Sequence, residues 1–177
     1  VTNPASPQKI KTIQTPRARG ITINGSFIYV AASDSGMGIF FFFNPANPIL
    51  VGYTGSSVYG ENVAVNGNIA GITDYGQITF YDISNPTTPI KKGSTGSLTT
   101  GNEGFAIKGS YAYVPDGSNL KIFNIADLNA PVNVSEILTG GYGYLAAVDG
   151  DYCYVASEGT GIRSINISNP LVPVEAG

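Results

Sequence analysis

The chain has no histidine, no tryptophan and one cysteine, Cys153. Without histidine there is no Ser-His-Asp triad, no imidazole general base and no imidazole metal ligand. A single cysteine allows neither an internal disulfide nor a thiolate zinc site. Cys153 falls in an apolar stretch, aligned with Ala112 and Ile28, and reads as a small buried hydrophobe. Charge is scarce: 12% of residues are charged and the formal net charge is −3, against about 25% charged in ordinary soluble domains. That balance argues against general nucleic-acid binding. The longest apolar run, Phe27 to Ala32, is too short for a membrane span. The first residue is Val1, with no basic-then-apolar leader, so the chain is expected to be processed or cut from a longer one.

What the chain has in quantity is Gly (23), Pro (11) and apolar residues (42%), over 177 residues. This suits a turn-rich all-β domain with an uncharged polar surface. An Asn-Pro-x-x-Pro pattern appears at Asn3–Pro7, Asn44–Pro48, Asn85–Pro89 and Asn169–Pro173, with a degenerate copy at Asp127–Pro131. Its closing prolines lie 41, 41, 42 and 42 residues apart. Gly25, Gly67, Gly109 and Gly150 repeat independently at 42, 42 and 41. Two landmarks with one period define four repeats of about 41 residues.

Each repeat reads as four short strands. The first alternates apolar with small or polar residues (20–24, 62–66, 104–108, 145–149), and a tight Gly turn leads to the second (27–32, 68–73, 111–114, 152–156). A Gly-rich turn carrying an acid precedes the third (38–43, 77–83, 120–125, 162–167), and Asn-Pro-x-x-Pro turns the chain into the fourth. Four-strand meanders at this period predict a β-propeller whose first strands line the axis. Strands apolar on both faces, including Phe40–Phe43, are expected to be core between blades.

Within this pattern, "GFAIKGSYAYVPDGSNLKIFNIADLNAP", "GQITFYDISNPTTP" and "VDGDYCYVASEGTGIRSINISNP" resemble the LVIVD-repeat family, and the resemblance covers nearly the whole chain. It implies a β-propeller, commonly in secreted or surface-anchored bacterial and archaeal proteins, and no defined reaction. Two departures stand out. Gly71 replaces the tyrosine of Tyr29, Tyr113 and Tyr154, and Phe41 stands where Asp82, Asn124 and Asn166 stand.

The expected layout is one domain over 1–177: an N-terminal fourth-type strand at 7–14, then blades at 20–55, 61–94, 103–138 and 144–177. The simplest closure lays the N-terminal strand on blade four, which removes a pairing edge. Alternatives are four blades of a larger ring, or a spare edge completed by another molecule.

Arg19, Glu61, Glu103 and Tyr144 each precede the landmark Gly by six residues. In a closed ring they would converge on one channel mouth, as a ligand grip or as a self-satisfied polar plug. Asp34, Asp74, Asp116 and Glu158 put one acid on each second turn, a weak pattern for metal and a strong one for turn capping. Tyr59, Asn102 and Tyr142 belong to loops whose Tyr, Ser, Gly and Asn content suits adaptable contacts. Lys9, Lys11, Arg17 and Arg19 gather near the N-terminus, either as a patch for an anionic partner or as lysines protecting an edge strand plus one channel-mouth Arg. Asn24, Asn133 and Asn166 begin glycosylation-type triplets.

The expected function is a non-catalytic extracellular or cell-surface propeller. It would bind a protein or glycan, or assemble with copies of itself by strand exchange, with no cofactor, no nucleic acid and no membrane insertion. The alternative is a small-ligand or glycan-processing site at the mouth using Glu61 and Glu103, since two facing carboxylates are the only catalytic pair available.

Overall fold

The computed structural model describes residues 4–15, 17–55, 59–99 and 104–176. Each repeat folds as one antiparallel four-stranded sheet with strands in chain order. Blade one is β1 (Ala18–Asn24), β2 (Phe27–Ala32), β3 (Gly36–Phe41) and β4 (Ile49–Tyr53). Blade two is β5 (Gly60–Asn66), β6 (Ile69–Asp74), β7 (Ile78–Asp82) and β8 (Ile90–Ser94). Blade three is β9 (Ala106–Lys108), β10 (Tyr111–Asp116), β11 (Asn119–Asn124) and β12 (Val132–Leu138). Blade four is β13 (Gly143–Asp149), β14 (Tyr152–Ser157), β15 (Gly161–Asn166) and β16 (Val174–Glu175).

The turns follow from their residues. The four landmark glycines adopt φ between 50° and 59°, the left-handed region in which a β-carbon is strained. In the Asn-Pro-x-x-Pro motifs, Asn44, Asn85, Asp127 and Asn169 each accept, through a side-chain oxygen, the amide N–H two residues on. Their carbonyls accept the N–H three residues on, as a β-turn requires. Asp82, Asn124 and Asn166 cap the approach to these motifs by accepting the N–H of Ser84, Ala126 and Ser168. The Ser84 backbone and hydroxyl, with Lys92 nearby, hold the Asp82 carboxyl below its ordinary value. Phe41, in the same place, packs instead on Phe27 at 5.4 Å between ring centroids.

Blades stack face to face. Tyr29, Ala31, Met37 and Ile39 of blade one meet Val63, Ala70, Ile72 and Tyr81 of blade two. Ala64, Ile78 and Phe80 meet Phe105, Ile107, Ala112 and Val114 across the second seam. Tyr113, Leu120 and Ile122 meet Ala146, Cys153, Val155 and Ile165 across the third. These three clusters form most of the core among the described residues; Val30, Ala32 and Phe40 are buried on blade one's other face.

Two expectations are corrected. Residues 4–15 form no strand, and β16 of blade four itself pairs with β15 (Ile165 with Glu175, Asn166 with Val174). The N-terminal clasp on blade four is therefore absent, because the chain's own last residues take that edge. The Phe40–Phe43 run is also not core throughout: Phe40 is buried but Phe43 is 87% exposed. β3 ends at Phe41, so alternation stops before Phe43 and the turn carries it outward.

Candidate functional site

Among the described mouth residues, the structure brings one pair together. Arg19 and Glu61 pair at 3.7 Å, with the Glu61 side chain mostly covered. Tyr144 donates its hydroxyl to Glu158 (3.0 Å) and packs its ring, tilted by 48°, against Tyr142 at 5.0 Å. Glu103 and Asn102 lie outside the described residues. Tyr59 stacks against Tyr75 at 4.9 Å, and its backbone N–H donates to Asp74.

The four turn acids are each engaged in a different way. Asp34 pairs with Arg17 at 2.6 Å on the surface. Asp74 accepts from the Tyr59 N–H (3.0 Å) and the Thr79 hydroxyl (3.3 Å). Asp116, its side chain fully buried, pairs with Lys121 at 2.6 Å. Glu158 holds Tyr144. Among the described residues no three His, Cys, Asp or Glu side chains lie close enough to share a metal ion. Lys9 and Lys11 lie on an exposed segment that forms no strand, so they guard no edge.

Cys153 is fully buried, and burial pushes its thiol up to about 12. The neighbouring Tyr113 hydroxyl is likewise raised to about 12, chiefly by burial. A native thiol that is both covered and protonated does not react. A thiol reagent at pH 8 is expected to leave the folded protein unmodified and to label Cys153 completely on unfolding. Labelling at equal rates in both states would show that the third seam opens.

The sequence reading missed the two sheet faces at the ends of the arc. At each internal seam the second strand of one blade supplies a tyrosine-phase residue to the first strand of the next. Tyr29 (2% exposed) shares its cluster with Val63 (9%), and Tyr113 (2%) with Ala146 (4%). At the second seam Gly71 meets Phe105: a β-carbon on Gly71 would sit 2.8 Å from the Phe105 ring. The same phases at the chain's ends are Tyr154 on blade four, 39% exposed, and Ile21 on blade one, 69% exposed. The third strand agrees. Met37, Ile78 and Leu120 are fully buried, but Ile162 is 74% exposed. Ile23, Leu145 and Tyr152 are exposed beside them. The signal was available: four repeats in a row make three seams and leave a front and a back face over.

Polar stitches cross each seam, one at the first and two at each of the others. At the end of the first strand, Asn24 donates its side-chain amide to the Gly67 carbonyl (2.8 Å), Asn66 accepts the Gly109 N–H (3.2 Å), and the Lys108 ammonium donates to the Gly150 carbonyl. Further out, the fourth strand meets the carbonyl of the second residue of the next blade's turn motif. Gly93 N–H donates to Leu128 (2.7 Å) and the Ser135 hydroxyl to Pro170 (2.6 Å). Gly52 comes so close to the Pro86 carbonyl that a β-carbon would collide with it.

On blade one's outward face, Ile13, Val30, Phe40, Leu50 and Tyr53 line a groove of about 420 Å³. The N-terminal residues Lys11, Ile13 and Thr15 also border a cavity with Ile21, Ile28 and Phe40; Val30 and Phe40 are buried, while Ile21 and Ile23 stay exposed.

Sheets in meander order, packed face to face at a fixed sequence period, define a repeat-built β-propeller of four blades. The LVIVD repeat matches residues 17–54, 59–96, 103–139 and 140–177, and the chain belongs to the LVIVD repeat family. Comparison with curated proteins returned no match. Among solved structures, the computationally designed Ika4 protein is similar with a TM-score of 0.69 at 7% identity, over 91% of this chain and 99% of that one. The computationally designed Ika8 protein is similar at 0.68 and 8% identity, over 86% of this chain and 46% of that one. A Lactobacillus plantarum protein is similar at 0.73 and 13% identity, over 90% of this chain and 55% of that one. The chain thus spans about half the length of the latter two.

Proposed function

We infer that this chain is a non-catalytic interaction and assembly module, of the extracellular space or cell surface, that works through the blade faces left open between blades four and one. The observation that carries this reading is the exposure of Ile21, Tyr154 and Ile162 at phases that are core in every other seam. Exposed apolar faces of this kind favour a protein partner over a glycan. The Arg19–Glu61 pair supports a polar plug over a ligand grip, since each group neutralises the other. Scarce charge and reliance on repetition rather than disulfides suit a surface scaffold.

Hydroxyl-radical footprinting of the dilute chain tests the reading. Tyr152 and Tyr154 are expected to oxidise several-fold faster than Tyr29 and Tyr113. Equal protection of all four in single chains would mean that the ring closes on itself and offers no open face.

A further inference from the structure

We propose that the occupant of the open seam is a second copy of this chain. Blade four of each copy packs on blade one of the other about a two-fold axis, closing a ring from two four-bladed halves. The proposal rests on the open-seam reading above and adds the identity of the partner.

Three observations point to the copy itself. First, blade one's face at Ile21 and Ile23 and blade four's face at Tyr154 and Ile162 are the front and back of one interface that the chain already builds three times. Each internal seam matches its tyrosine phase to its first-strand phase by size: tyrosine with valine, glycine with phenylalanine, tyrosine with alanine. The open seam offers Tyr154 to Ile21, a pairing closest to that of Tyr29 with Val63. Like-with-like packing, blade four on blade four, would set tyrosine against tyrosine, a combination found at no internal seam.

Second, the stitch positions are complementary. Asn66 accepts the Gly109 N–H at the second seam. The corresponding positions at the open seam are Asp149, an acceptor, and Gly25, both exposed. Pro45 holds the place whose carbonyl is met at the other seams in Pro86, Leu128 and Pro170.

Third, the two ends carry opposite charge. Lys9 and Lys11 lie at the blade-one end and Asp149 and Glu158 at the blade-four end, whereas Arg17, Arg19, Asp151 and Glu175 are already paired with Asp34, Glu61, Lys108 and Arg163. Front-to-back packing brings the unlike ends together, and like-with-like packing opposes charges of one sign. A two-fold axis satisfies both seams of this chain at once.

The test uses the full chain and two charged variants, Ile21→Asp and Tyr154→Asp. Both sites are exposed in the single chain, so the fold should survive, and Ile162→Asp serves as a second variant of the blade-four face. The wild type is expected to sediment at twice the 18.4 kDa chain mass. Each variant alone places one lesion in each seam and should raise the dissociation constant at least about 30-fold. Mixing Ile21→Asp with Tyr154→Asp collects both lesions in one seam and leaves the other intact, so dimer should return. Dimerisation of Ile21→Asp alone at wild-type strength would overturn the proposal in favour of contact between like faces. Mass that grows without limit would overturn the closed pair. A chain monomeric at all concentrations, with Tyr154 still oxidised rapidly, would overturn the second copy as occupant while leaving the open seam standing. A monomer with Tyr154 protected would remove both.

Discussion

Gly71→Tyr and Phe105→Ala should each destabilise the protein, and the two together should recover most of what either loses. Gly71 sits at a phase where the other repeats carry tyrosine, so Gly71→Tyr alone looks like a return to pattern. The structure predicts the opposite. The Phe105 ring from blade three fills the space, and even a β-carbon on Gly71 would approach it to 2.8 Å. Overpacking of this kind costs about 1–3 kcal/mol. Phe105→Ala removes a buried ring and opens a cavity that glycine cannot fill, at a cost of about 3–5 kcal/mol. The double variant recreates the tyrosine–alanine match of Tyr113 with Ala146 at the third seam. Urea denaturation of the four proteins gives the coupling energy directly. Additive losses would show that the second seam does not compensate in this way.

Lys121→Met is expected to cost about 3 kcal/mol, the lower end of the loss for breaking a buried ion pair. The Asp116 side chain is fully buried, and the Lys121 ammonium meets it at 2.6 Å, with the Lys121 side chain partly exposed. That exposure lets water reach the ammonium and keeps the loss at the low end. The Thr99 hydroxyl, donating to the same carboxylate at 3.3 Å, does not replace the counter-charge. Adding Asp116→Asn to Lys121→Met should return much of the stability, because a neutral amide needs no counter-charge. The check is the denaturation midpoint of the single and double variants. A single variant at wild-type stability would show that the pair contributes nothing.

The repeat was legible because its punctuation is local. Asn-Pro-x-x-Pro and the left-handed landmark glycines each do one conformational job that few residue types can do, so period and strand order follow from sequence. Closure was not legible. Gln8–Gln14 alternates like an edge strand, yet pairing needs a vacant edge, and β16 occupies the one on blade four. The repeats read alike whether the last face finds the first or finds another chain, since only the geometry of the seams decides it. The same limit applied to the site. Phase in the repeat placed Arg19 beside Glu61, because β1 and β5 are neighbouring inner strands. It could not place Tyr144, whose ring settles on Tyr142 and whose hydroxyl goes to Glu158. Phe43 was misjudged because residue type suggested core while the turn that follows β3 turned it outward.

In the proposed reading, the faces at Ile21 and at Tyr154 and Ile162, exposed in this chain, are the interaction surface. The most direct measurement is the mass of the full chain by light scattering across a concentration series. A rise from 18.4 kDa to a plateau at twice that value is the predicted result. A mass fixed at 18.4 kDa at every concentration, with Tyr152 and Tyr154 as protected as Tyr113, would contradict it.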